Sequence, residues 1–93
     1  MKNIFLILGY GYTGSHLANL IIQNGWRVVG TSSKSHHTKA AIIPYDREHI
    51  TEEVEVATHI LISIPPDENG DIVLADFSDI LSLAKNLKWI GYL

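Results

Sequence analysis

Cysteine is absent from the 93-residue chain, which excludes a disulfide framework, a thiolate nucleophile and any zinc site built on sulfur. That absence suits a reducing compartment, and the chain reads as cytoplasmic. Basic charge is scarce too. Seven Lys and Arg stand against ten Asp and Glu, for a net charge of −3, and only the stretch from Lys34 to Lys39 gathers any of it. Such a chain has no field to hold a polyphosphate backbone, so nucleic acid is not an expected partner. Long apolar runs are missing as well. The first, Ile4 to Leu8, is far too short to span a bilayer and leads into glycines rather than a signal-peptide cleavage site. The expectation is a soluble protein with no membrane partner.

Other chemistries fail for want of the right spacing. The histidines at 16, 36, 37, 49 and 59 show no His-x-x-x-His pair on a helix, so no metal site is expected. Glu52, Glu53 and Glu55 fall on one solvated helix, with nothing to mark an acid opposed to a base. Ser63 lacks a nucleophile elbow, and Ser78 and Ser82 sit within a helical stripe.

What remains is an ordinary globular composition, 46% hydrophobic and 18% charged, in a length that suits one domain over residues 1–93. A chain of this size buries only about 60–65% of the surface its unfolded form exposes, so its stability margin is thin. Strands and helices alternate along it. Ile4-Phe5-Leu6-Ile7-Leu8 reads as a strand covered on both faces, stopped by Gly9. From Thr13 the spacing turns helical, with Leu17, Ala18, Ile21 and Ile22 on one face and Asn24-Gly25 as the stop. Trp26 to Gly30 is the second strand, followed by a polar loop from Thr31 to Lys39. Ala40 to Tyr45 forms a short third strand that Pro44, lacking a backbone donor, assigns to a sheet edge. A helix over 47–57 precedes a fourth strand, His59 to Ile64, ended by Pro65-Pro66. Asp71 caps a further helix, in which Val73, Phe77, Ile80, Leu81 and Ala84 form a core-facing stripe. Trp89 to Leu93 is the fifth strand.

This alternation predicts an α/β fold: a Rossmann-type parallel sheet with right-handed crossovers and strand order 3-2-1-4-5. Within it, Gly9-Tyr10-Gly11-Tyr12-Thr13-Gly14 matches Gly-x-Gly-x-x-Gly. Gly9 permits the tight turn, Gly11 lets phosphate approach the backbone, and Gly14 lets the helix lie close to the sheet. Position strengthens the motif, because it follows the first buried strand and opens an amphipathic helix. The reading is a dinucleotide held through its pyrophosphate by free N–H groups at the helix start. A tight turn with no ligand would carry the same glycines. Tyr12 and Thr13 complete the candidate set at this turn, though Tyr10 and Tyr12 are expected chiefly to cover the sheet end.

An NAD site needs an acidic residue near the end of the second strand for the ribose hydroxyls. Here stand Thr31, Ser32, Ser33 and Lys34, with His36, His37 and Lys39 behind them, all able to donate to a 2′-phosphate. The preference is for NADP over NAD. A solvated loop with incidental charge reads the same way.

Together with the glycine turn, Gly25-Trp26-Arg27-Val28-Val29-Gly30-Thr31-Ser32, the Ile62-Ser63-Ile64-Pro65-Pro66-Asp67 segment and the closing Trp89-Ile90-Gly91-Tyr92-Leu93 resemble the NAD(P)-dependent epimerase/dehydratase branch of the short-chain dehydrogenase/reductase superfamily, in its atypical GxGxxG group. The resemblance covers the whole chain but only about the first third of such a protein. It implies that Asp46 meets the adenine, although an acid opening the next helix reads equally well. It also implies that Ile64 and Pro65 pass beside the riboses, where a plain strand-ending proline would look the same. Where the family often carries a cofactor-reading arginine, this chain has Ser33, with Lys34 next. Catalysis in the superfamily uses a Tyr-x-x-x-Lys pair. The residues four beyond Tyr10, Tyr12 and Tyr45 are Gly14, His16 and His49, so the pair is missing.

Three readings follow: a cofactor-binding unit of an oxidoreductase or epimerase without its catalytic half, a truncated remnant without function, or a regulatory nucleotide-sensing module. Against the last stands the missing acid after the second strand. A sheet ending at Trp89 to Leu93 would present an open edge, so a homo-oligomer is expected.

Overall fold

The computed structural model describes residues 3–10, 12–32, 40–63, 78–82 and 84–92, with Tyr12 and Thr13 described for their backbone alone. The apolar runs become strands β1 (Ile4–Leu8), β2 (Arg27–Thr31), β3 (Ala41–Ile43), β4 (His59–Ile62) and β5 (Trp89–Tyr92). Helix α1 (Tyr12–Gln23) joins β1 to β2, and α2 (Arg47–Val56) joins β3 to β4. Residues 78–81 form a helical segment ahead of β5. All strand pairs are parallel, in the order β3-β2-β1-β4-β5. This is the predicted doubly wound α/β sheet, with β1 at its centre.

Alternation along each strand divides the core in two. Phe5, Ile7, Val28 and Leu61 face α1, which contributes Ala18 fully buried and Leu17, Ile21 and Ile22 packed around it. Leu6, Leu8, Val29, Ile60 and Ile62 face α2, which buries Ile50 and Val54 among them. Ile80, Leu81 and Ala84 lie on this second face, so the described half of the 71–86 stripe points inward as its spacing predicts. Asp71, Val73 and Phe77 fall outside the described residues.

Local chemistry ends and starts the helices where the sequence indicates. Gly25, at φ +83, receives the chain from α1 in the left-handed conformation, and its N–H donates to the Ile22 carbonyl at 2.9 Å. Few residues but glycine hold that φ without strain. At α2, Asp46 is the N-cap, and its Oδ1 accepts the His49 N–H at 2.8 Å. The helix-opening reading of Asp46 is therefore the one its contacts display. Arg47 then ties the start of α2 to the 78–81 segment through an ion pair with Asp79.

Buried Thr58 joins β1 to β4 at the opposite end of the sheet from the glycine turn. Its Oγ1 accepts from the Ile4 N–H at 2.9 Å and donates to the Ile4 carbonyl at 3.0 Å. Next to it His59 lies among Phe5, Trp26 and Trp89, with the Trp26 ring centre 4.6 Å away.

Strands β2, β3 and β4 differ from expectation in their bounds, β4 ending at Ile62 with Ser63 already outside it. Strand β2 runs from Arg27 to Thr31 rather than from Trp26 to Gly30, because pairing with β1 begins at Ile4↔Arg27 and leaves Trp26 to pack its ring against Phe5. Strand β3 is cut to three residues, with Pro44 just past its end at the sheet edge. The other edge, β5, is less covered: Trp89, Ile90 and Tyr92 are 45%, 39% and 54% exposed.

Candidate functional site

Strand order reverses at β1: the connection leaving β1 runs to β2 on one side and the one leaving β4 runs to β5 on the other. In open α/β sheets this switch point opens a crevice at the carboxyl ends of the strands. Here Gly9 leaves β1 and Ser63 leaves β4 side by side, with the Ser63 N–H donating to the Leu8 carbonyl at 2.8 Å. The glycine turn thus lies at the position where the fold places a ligand.

Gly9 has φ +102, a left-handed conformation that turns the chain out of the sheet toward α1. Gly14 sits in the first turn of α1 close to β1. A β-carbon there would stand 3.3 Å from Ile7 Cγ2 and 3.4 Å from the Gly9 carbonyl oxygen. The first and third glycines of the motif therefore do what the spacing predicts, a tight turn and a close helix–strand approach. Gly11 lies outside the described residues, as do Ser33, Lys34, Ile64 and Pro65. The backbones of Tyr12 and Thr13 form the first residues of α1.

The two helix starts differ in a way that bears on anion binding. Helix α2 supplies its own acids, with Asp46 as cap and Glu48 in the first turn. Helix α1 has no acidic residue in its first turn. The positive end of its dipole is not neutralised by an acid of the helix's own first turn. Gly9 and Gly14 thus bring a helix start without its own acid close to the carboxyl end of the central strand.

Three residues are placed by contacts across the sheet. Thr31 is 2% exposed, and its Oγ1 accepts the Gly9 N–H at 2.9 Å, so the hydroxyl is engaged beneath the turn. Sequence reasoning groups it with the donors of the following loop. Its own carbonyl takes the Tyr10 N–H at 2.8 Å. Tyr10 is buried with its ring over Gly30, where a β-carbon would come within 2.4 Å of Cδ1. Tyr10 therefore covers the sheet end, the role expected for it. Ser32, half-buried, donates its N–H to the Ile43 carbonyl and continues the β2–β3 pairing past the strand.

Asp46 stands apart from this turn in its contacts. Its carboxylate is held below the usual carboxylate range, first by the His49 N–H and then by the His49 ring, 2.7 Å from Oδ1. Among the described residues no three potential metal ligands converge, and no helix is long and apolar enough to cross a membrane.

Sheet order, glycine turn and helix start together define a Rossmann-type unit. No protein-family model and no curated protein sequence matches the chain. Solved structures do match it. A functionally unknown conserved protein from Silicibacter pomeroyi DSS superposes with a TM-score of 0.81 at 31% identity, over 98% of this chain and 34% of its own. A glycerate dehydrogenase related protein from Thermoplasma acidophilum gives 0.75 at 24% identity, over 97% and 31%. A short-chain dehydrogenase/reductase superfamily protein from Agrobacterium tumefaciens, with bound NAD, gives 0.71 at 13% identity, over 97% and 32%. The chain spans about a third of the length of these proteins. What they share with it is the Rossmann-type fold.

Proposed function

We propose that this chain is the nicotinamide-dinucleotide-binding unit of an oxidoreductase of the short-chain dehydrogenase/reductase type, in the atypical epimerase/dehydratase branch. The observation that carries the proposal is Gly9 at φ +102 on the carboxyl end of the central strand, leading into a helix with no acid in its first turn. That combination offers N–H groups and a positive helix end to a pyrophosphate. The NAD bound to the Agrobacterium protein of the same fold supports a dinucleotide of this class.

NADP is the proposed preference. Between Thr31 and Lys39 the sequence has no acid to accept hydrogen bonds from ribose hydroxyls, and it has Ser32, Ser33 and Lys34 to donate to a 2′-phosphate. Binding is the activity proposed for these residues, since Tyr10, Tyr12 and Tyr45 are followed four residues later by Gly14, His16 and His49 rather than by lysine.

The test is a titration with NADPH and NADH, followed by the emission of Trp26 and Trp89, with Gly11→Val as the control. Saturable binding that the substitution abolishes supports the proposal, and the tighter of the two ligands identifies the cofactor. No binding at millimolar dinucleotide overturns it and leaves the glycine turn as architecture.

Self-association through β5 belongs to the same proposal, with a second copy as the occupant. The sequence Lys88-Trp89-Ile90-Gly91-Tyr92 is self-complementary about Ile90. In an antiparallel pairing centred there, Trp89 faces the glycine of the second copy and Lys88 faces its tyrosine. Large then meets small, and cation meets aromatic ring. Within one chain the Trp89 indole already lies over Gly91, where a β-carbon would meet Cη2 at 2.4 Å.

A further inference from the structure

We infer that Thr31 is a positioning residue of the dinucleotide site: its hydroxyl, by taking the Gly9 N–H, holds the first glycine of the turn in the conformation that admits the phosphates. The inference rests on the dinucleotide reading above and goes further, naming a residue that acts on the ligand through the turn.

Gly9 is the first residue past β1, where the ladder to β2 runs out. Thr31 is the last residue of β2, and its carbonyl is already used by the Tyr10 N–H at 2.8 Å. The Gly9 N–H therefore needs another acceptor, and the Thr31 Oγ1 provides it at 2.9 Å. One residue thus satisfies two successive N–H groups of the turn. At 2% exposure it does so beneath the surface a ligand would meet. A buried N–H left without a partner is costly, so this bond selects the turn conformation over alternatives that send the Gly9 N–H elsewhere.

Two consequences follow for the ligand. The N–H groups of Gly9 and Tyr10 are occupied, so the pyrophosphate is received by those at the start of α1, which begins at Tyr12. Thr31 also drops out of the set that reads a 2′-phosphate, which passes to Ser32 and the residues after it.

The experiment compares wild type with Thr31→Val, Thr31→Ser and Thr31→Cys, measuring NADPH affinity and the Gly9 amide resonance. Valine keeps the shape and loses the acceptor; serine keeps the acceptor and loses the methyl. Thr31→Val should bind NADPH about tenfold more weakly, the loss of one hydrogen bond, and shift the Gly9 amide. Thr31→Ser should restore both. If the valine variant fails to fold, the serine and cysteine variants decide the matter, since sulfur is a poor acceptor in nearly the same shape. Equal NADPH affinity in Thr31→Ser and the acceptor-poor variants, with wild type binding, overturns this inference alone. No binding by wild type overturns the dinucleotide reading and this inference with it.

Discussion

The ring of Tyr10 lies on Gly30, so closely that a β-carbon at position 30 would stand 2.4 Å from Cδ1 and 2.9 Å from the tyrosine's own Cβ. A ring alone could swing aside, but Cβ moves only with the backbone of the glycine turn. Gly30→Ala should therefore destabilise the fold by about 1–3 kcal/mol, the cost of overpacking. In a Tyr10→Gly background the same change should cost markedly less, because both the ring and the Cβ that it would meet are gone. Urea unfolding of the four proteins checks this, and equal costs in both backgrounds would refute the contact.

Thr58 carries the opposite end of the β1–β4 seam. Its hydroxyl proton goes to the Ile4 carbonyl, so the neutral His59 ring, with Nδ1 2.8 Å from Oγ1, donates to the same oxygen. Thr58→Val removes the acceptor for both the Ile4 N–H and His59. It should cost about 1–3 kcal/mol and raise the exchange rate of the Ile4 amide. Thr58→Ser should keep that amide protected; loss of protection in both variants would show that methyl packing, not the hydroxyl, holds the seam.

Stability should vary with pH through His49, Asp46 and His59, beside Asp79, which its hydrogen bond to Arg47 holds below 3.8. His49 is raised above its ordinary 6.5, chiefly by its hydrogen bond to Asp46, so its contribution is complete below 6.5 and lost as pH rises through its folded value. Asp46 is lowered from 3.8, so its contribution is complete above 3.8 and lost as pH falls through its folded value. The cap of α2 is strongest between those limits. His59 is lowered, first by burial and second by Lys88, so it favours folding above 6.5 and opposes it as pH falls through its lower folded value. Denaturant unfolding should show His49→Gln differing most from wild type between pH 3.8 and 6.5 and least once pH has risen past the raised folded value of His49. His59→Phe should flatten the loss of stability just below 6.5. A pH-independent difference for His49→Gln would remove the ring of His49 from the cap.

At β5, sedimentation at tens of micromolar protein should report a dimer. Ile90→Lys, which brings two like charges face to face at the centre of the pairing, should return it to monomer. A wild-type monomer at that concentration overturns the β5 pairing.

Much of this protein is legible in its sequence, for a local physical reason. An apolar run closed by glycine, a stripe at spacings of three and four, or a proline that cannot donate each limits its own few residues. Their order then leaves one sheet, so β1 at the centre, β3 at an edge and the turn at Gly9 follow from residues 4–14 and their counterparts. Asp46 shows the boundary. An acid before a helix reads equally as cap and as ligand to a base, and only the His49 N–H, 2.8 Å from its Oδ1, shows the capping contact.

The placement of the Thr31 hydroxyl, and which residue the ring of Tyr10 lies on, were decided by the tertiary structure alone. Both depend on how β2 registers against β1, with Ile7 opposite Gly30. That register brings the end of one strand under the turn that leaves the other, some twenty residues away in the chain. No periodicity within either segment contains it. The amino-acid sequence determined which residues form strand, turn and helix, because those choices are made by neighbours along the chain. Which hydroxyl holds the first glycine was decided across the sheet, where pairing between distant residues sets the distance.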